Sequence, residues 1–267
     1  MKSSIYWIRT AAKVILIAAI PILLSQCKPD DPKKPDDTVV KKGLVLQFKP
    51  VCLGSDITFS SGEYTRSNGE IMLFTNWAMI WSKLSLVKTD NSLVSLGDGY
   101  LFIDGAGAKT TYSFADAPAG EYKGISFELG LDSIINHGDP NAWPADHPLN
   151  GNYTGLHWGW STGYIFQAID GRYKKDAAQT DWSGMSLHTA TDKYPRTFML
   201  PLTFTLDANG QKTATITGRI EQYFQDPTFI SFAKDGSFSH SVGAAEISLM
   251  DKIVNNGSDV FELTSVK

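Results

Sequence analysis

Cysteine is nearly absent: two residues in 267, too few for a disulfide framework. Positive charge is not in surplus. Lysine and arginine number 24 against 28 aspartates and glutamates, a formal charge of −4, so the chain carries no electrostatic footprint for a nucleic acid. Glycine (23) and proline (12) are ordinary in number, which sets aside collagen-like and low-complexity classes. No His-Glu-x-x-His, Cys-x-x-Cys or His-x-His pattern occurs, and no nucleophile elbow or phosphate loop. What is present is 42% hydrophobic, 12% aromatic and 19% charged residues. That is the make-up of a packed core, not of a disordered tail, a coiled coil or a polytopic membrane protein.

The first residues read as an address. Lys2, Arg9 and Lys13 form a positive leader, and an apolar run over 14–24, interrupted only by Pro21, follows it. The run is too short for a bilayer span, which needs about 20 residues, and suits the apolar core of a secretory signal. It ends in Leu24-Ser25-Gln26-Cys27. A cysteine directly after such a core resembles a bacterial lipoprotein signal, in which the thiol takes the lipid. The expectation is a signal peptide over 1–26 and lipidation at Cys27, with attachment to a membrane through that lipid. Residues 27–42 are rich in Pro, Asp and Lys. They cannot bury enough apolar surface to repay their ordering entropy, so they read as a disordered tether of the kind found in Bacteroidetes-type lipoproteins. Cys52 then has no partner and reads as a small buried hydrophobe.

From residue 43 to 267 the dominant period is two. Leu44, Leu46 and Phe48 alternate, as do Trp77, Met79 and Trp81, with a one-residue slip before Leu84 and Leu86 that marks a bulge. Ile125, Phe127, Leu129 and Leu131 form another such set, and Phe198 to Leu206 a longer one, in which Pro201 demands an edge or a bulge. Asn209-Gly210 predicts a tight hairpin turn with positive φ, returning through 213–220. Helical spacing is confined to 243–256, with Asn256-Gly257 as its stop. The fold class expected is all-β: one antiparallel sandwich with a short C-terminal helix and one long functional loop.

That loop lies within 132–171. It holds three of the five histidines, His137, His147 and His157, with Trp143, Trp158 and Trp160. Long irregular loops in compact domains are usually functional or disordered. Imidazole is the commonest metal ligand and needs a neighbouring acceptor to fix its tautomer. Asp139 follows His137 and Asp146 precedes His147. In Met185-Ser186-Leu187-His188 the two apolar side chains face one side of a strand and His188 the other. Spacing alone gives a weak metal signal, and scattered histidines are more often hydrogen-bonded loop residues.

Several segments together resemble the MbnP-like copper-binding proteins, relatives of the copper-repressible surface proteins of methane oxidisers. These are Asn136-His137, Pro148-Leu149-Asn150, Trp158-Gly159-Trp160, Gly163-Tyr164-Ile165-Phe166 and Asp170-Gly171, preceded by Leu84-Ser85-Leu86 and by Gly120-Glu121-Tyr122 leading into the strand 125–132, and followed by Ser186-Leu187-His188. The likeness covers roughly 43–255. It implies a surface-exposed β-sandwich that binds copper, as Cu(I), through histidines beside a tryptophan oxidised to kynurenine by a partner dihaem peroxidase-like enzyme. Carried over residue by residue, it makes His137 and His188 the metal ligands and Trp143 the modified residue or third ligand, with His147 and His157 as alternative ligands. A binding protein of the cell envelope, at the outer membrane or cell surface and without turnover of its own, is the leading expectation. A surface glycan-binding or structural lipoprotein, with Trp143 and Trp182 as aromatic contacts, is the alternative. No catalytic residue is assigned.

Overall fold

A computed structural model describes residues 42–267 except Ala108 and 160–162. The leader, nearly all of the tether, Cys27 and Trp160 lie outside the described residues. The strands are Gly43–Cys52 (β1), Ser55–Asp56 (β2), Tyr64–Thr65 (β3), Ile71–Lys88 (β4), Leu93–Ser95 (β5), Leu101–Asp104 (β6), Thr111–Phe114 (β7) and Gly120–Leu129 (β8). Three short helical turns follow, Ser133–Asn136 (α1), a 3-10 turn at Pro140–Ala142 and Gly151–Thr154 (α2). Then come Ile165–Lys174 (β9), Ser183–Ala190 (β10), Arg196–Leu206 (β11) and Gln211–Arg219 (β12), then Phe232–Asp235 (α3), Phe238–Ser239 (β13), Ala244–Asn256 (α4) and Phe261–Val266 (β14).

Two sheets form the all-β sandwich. The smaller runs β14-β12-β1-β2 with β7 beside β1; the larger runs β11-β8-β4-β9-β10-β13, with β3, β5 and β6 along the other edge of β4. Alternation explains which faces meet. Leu44, Leu46 and Phe48 are buried while Gln47 and Lys49 are exposed. Facing them from the larger sheet stand Trp77 and Trp81, whose rings meet Phe48 edge-on at 5.3 and 5.9 Å. Trp81 stacks on Phe127 at 3.9 Å. Such ring pairs contribute about 0.5–1.5 kcal/mol each beyond their burial.

The 18-residue β4 organises the larger sheet, pairing β9 through its first half and β8 through its second. Between the halves the register slips at Ser82/Ser85 and Lys83 takes φ 54°, the bulge expected from the sequence. Pro201 sits in β11, the last strand of its sheet, at a second register shift. Two expectations need correction. The turn at Asn209-Gly210 closes no hairpin: β11 pairs β8 in one sheet and β12 pairs β1 in the other, so the turn is a crossover between layers, and neither residue has positive φ. The sandwich is mixed, because β1/β12 and β10/β13 are parallel. The short C-terminal helix expected over 243–256 is α4, and β14 follows it and pairs β12.

The long loop has a core of its own. Leu131, Leu149, Leu156 and Tyr164 pack on Ala78, Ile80, Phe102 and Ala168 on the outer face of the larger sheet. Asn136, fully buried, accepts the Tyr164 backbone N–H at 2.8 Å and donates to Asp192 at 2.8 Å. Asn150 caps α2 and donates to the Trp143 carbonyl at 3.0 Å. These amides replace the ladder bonds that a loop lacks, as a buried backbone requires.

Candidate metal centre

The outer face of the larger sheet sets the site. In the β10/β13 ladder, Ser186 lies opposite Phe238 and Leu187 opposite Ser239. The next residue on each strand is a histidine. His188 and His240 therefore project side by side, their rings 4.9 Å apart and nearly parallel at 16°. The loop brings Trp158 over both, 6.0 Å from the His188 ring and 5.3 Å from that of His240. Phe238 adjoins His240 at 4.4 Å.

His188 is oriented from behind. Its Nε2 lies 2.9 Å from Asp170 Oδ1 on the neighbouring β9. Asp170 also accepts from Ser186 Oγ at 2.8 Å and Asn76 Nδ2 at 3.0 Å. Burial alone would raise the Asp170 carboxyl, but the hydrogen bonds from His188 and Asn76, the His188 charge and the Ser186 bond outweigh it and hold the group below the usual carboxylate range. A charged acceptor at Nε2 fixes the proton there and leaves the lone pair on Nδ1. That Nδ1 is buried and has no hydrogen-bond partner among the described residues. An orphaned ring nitrogen beside a second imidazole is the feature of this face that structure alone does not account for.

His240 is held through its backbone. Its N–H donates to Glu246 Oε2 at 2.7 Å, and Ser239 Oγ donates to the Glu246 carbonyl at 3.0 Å. Ser241 Oγ donates to the His188 carbonyl at 2.7 Å and accepts from the Ala190 N–H at 3.2 Å. The segment after β13 is thereby sewn to β10. Burial, and then the neighbouring His188, lower the His240 pKa, which favours the neutral ring that a metal requires.

The other expected residues are dispersed. His137 caps the end of α1, is exposed, and meets Asp192 Oδ2 at 3.1 Å. His188 stacks on His240 instead, so the two expected ligands belong to different clusters. His147 is buried with both nitrogens engaged: Nε2 with Asp98 at 2.8 Å, and Nδ1 accepting the Leu149 N–H at 3.1 Å. Trp143 stacks on His147 at 4.3 Å and meets Tyr100 edge-on at 5.8 Å, a stack rather than a flat platform. His157 meets Tyr164 edge-on at 4.6 Å, and burial lowers its pKa. Trp182 lies under the Lys174 ammonium at 4.6 Å. Cys52 is free and buried, and burial pushes its thiol pKa up.

His240 escaped the sequence reading. It follows a strand of two residues, too short for any period to show. Its one signal is the small set Phe238-Ser239-His240-Ser241, in which alternate residues share a face. Trp158 and Asp170 were both visible in the motif set. Among the described residues, no group of three or more His, Cys, Asp or Glu side chains is arranged to hold a metal. The donor set is a pair of imidazoles with an indole beside it.

A family model described as MbnP matches residues 41–246. Among solved structures, MbnP from Methylosinus trichosporium aligns at 16% identity with a TM-score of 0.45, covering 69% of this chain and 78% of that one. No curated protein matches the chain.

Proposed function

The chain belongs to the MbnP family, and from that premise we propose that it is a lipid-anchored cell-envelope protein that binds copper, as Cu(I), between His188 and His240. The observation that carries this reading is the buried Nδ1 of His188, on a ring oriented by Asp170 at Nε2 and without a hydrogen-bond partner among the described residues. Imidazole suits copper among the transition metals. A structural zinc would demand four protein ligands, whereas two imidazoles fit an ion that accepts few. Copper would supply a soft centre on the outer face of the sheet. Asp170 keeps the His188 proton on Nε2, Glu246 holds the His240 strand, and the protein performs no turnover of its own.

Trp158 is the indole that adjoins both imidazoles, so we propose it, rather than Trp143, as the residue that a partner dihaem peroxidase-like enzyme would oxidise to kynurenine. Opening the indole would free an aromatic amine beside the histidine pair. Anchoring through Cys27 and residence at the outer membrane or cell surface belong to the same proposal.

Equilibrium dialysis against Cu(I) tests the site. His188→Ala and His240→Ala should each abolish tight binding of one equivalent, and His137→Ala should leave it intact. Loss in His137→Ala with retention in His240→Ala would return the site to the loop histidine. Intact mass and metal analysis of protein purified from its own host tests the modification. A mass change of tryptophan-to-kynurenine conversion localised to Trp158 is the expected result, and an unmodified Trp158 in copper-loaded protein rejects it.

A further inference from the structure

The row of outward side chains that ends at His188 begins three strands away. Asp104 on β6 lies opposite Ala78 on β4, Ala78 opposite Ala168 on β9, and Ala168 opposite His188 on β10. Two alanines in the middle give the sheet its smallest side chains there, buried at the floor of a gap beside the loop that packs on them. Phe102, Leu156 and the end of α2 wall the gap, and the result is an open trough of about 230 Å³. Its composition is one-sided. Asp104 and Asp170 line it together with Asn76 and His188, and no lysine or arginine among the described residues does.

The two carboxylates are anchored differently, and both keep acceptor capacity. Asp104 Oδ1 takes the N–H groups of Ala106 and Gly107 at 3.2 and 2.8 Å, which leaves Oδ2 for a ligand. Gly107 makes this possible, since a Cβ there would stand 2.2 Å from Asp104 Oδ2. Asp170 Oδ1 is taken by His188 and Ser186, and Oδ2 accepts one bond, from Asn76. A carboxylate oxygen can take two, so one position remains. Asp104 and Asp170 are two strand spacings apart across the sheet and two residues apart along it, a Cα separation of roughly 12 Å. For side chains that leave the same face of the sheet in parallel, charge-assisted contacts of about 2.8 Å at each end leave roughly 6 Å between two ligand nitrogens.

We propose that this trough binds a linear aliphatic diamine of about four carbons, with one ammonium on Asp104, the methylene chain over Ala78 and Ala168, and the other ammonium on Asp170. An apolar floor between a few placed polar groups is the usual make-up of a small-ligand site. The trough shares Asp170 and His188 with the candidate metal centre, so metal-free protein is the material for its test.

Isothermal titration with 1,4-diaminobutane should give one equivalent bound. Butylamine, with a single ammonium, should bind about ten-fold more weakly or worse, as expected for the loss of one charged hydrogen bond. Asp104→Asn keeps the Oδ1 acceptor for Ala106 and Gly107, and so the local turn, and should weaken the diamine by a similar factor. Asp116→Asn, an exposed carboxylate outside the trough, should change nothing. Equal affinity for butylamine, unchanged binding in Asp104→Asn, displacement by equimolar calcium chloride, or no heat at millimolar diamine would each overturn the proposal.

Discussion

Asp170 shows how much one residue behind the candidate ligands decides. It accepts from three side chains on the two strands that flank its own, and as a charged acceptor at Nε2 it fixes the proton of the neutral ring there and leaves the lone pair of His188 on Nδ1. Replacing it by asparagine keeps the shape and removes the charge, so the imidazole loses the acceptor that fixes its tautomer. Outer-shell changes of this kind cost about 10- to 100-fold in metal affinity. Asp170→Asn should therefore weaken Cu(I) binding by that factor in a chelator competition, with the thermal unfolding midpoint little changed. A variant that binds as tightly as wild type would remove Asp170 from the site. At this scale the sequence was half legible. His188 announced itself because Met185 and Leu187 alternate with it. His240 did not, because its neighbour is contributed by a strand of two residues whose pairing is parallel and non-local.

The segment between β12 and β13 shows what a short element needs when it has few ladder bonds. Arg66, just after β3, is buried and donates to Glu70 Oε2 at 2.7 Å, to the Ile230 carbonyl at 2.7 Å and to the Phe224 carbonyl at 2.6 Å. Glu70 in turn accepts from Ser231 Oγ at 2.6 Å and the Ala233 N–H at 3.2 Å. The pair thus clasps the start of α3 and the residues before it to the β3–β4 turn. Removing one partner of a buried ion pair strands the other, at a cost of about 3–5 kcal/mol. Arg66→Ala should lower stability by that amount in urea denaturation. Burial raises the Glu70 pKa, but the bonds from Ser231, Asn68 and Ala233 and the Arg66 charge prevail, and it falls below its ordinary value of 4.5. A depressed folded pKa means stability that is present above the unfolded value and lost as the pH falls through the folded one. Wild type should therefore lose stability below about pH 4.5 more steeply than Glu70→Gln. Parallel slopes would show that Glu70 does not titrate with unfolding. No sequence period marks this clasp, since a buried ion pair reads as two ordinary surface residues. The bulge in β4 and the irregularity at Pro201 were readable, because local stereochemistry alone requires them. The Asn209-Gly210 crossover was misread, because the same turn residues serve a hairpin or a change of sheet, and the choice belongs to the partners of β11 and β12.

Taken as a whole, the sandwich closes only at its last strand. The matched family segment ends at residue 246, inside α4, yet β14 completes the smaller sheet against β12. Phe261 at its start lies within 6.3 Å, ring to ring, of Phe48, Trp77, Trp81, Phe127 and Phe198. One residue from the end of the chain therefore touches aromatic rings from both sheets. Truncating a buried phenylalanine costs about 3–5 kcal/mol in a well-packed core, a large share of the 5–15 kcal/mol that holds a domain together. Phe261→Ala should unfold cooperatively at a midpoint lowered by several degrees. A chain ending at residue 246 lacks all but the first three residues of the 13-residue α4 and all of β14, and leaves the β12 edge and this aromatic cluster open to water. It should fail to give a cooperative melt and should bind dyes that report exposed apolar surface. The candidate metal centre lies on the opposite face of the larger sheet, but β10 and β13 hold it only while α4 stays in place through Ser239 and Glu246. Loss of Cu(I) binding should accompany loss of the melt in that truncation. Phe261→Ala, assayed below its unfolding midpoint, should bind as wild type does. A folded, copper-binding chain ending at 246 would show that the closing strand is dispensable to both.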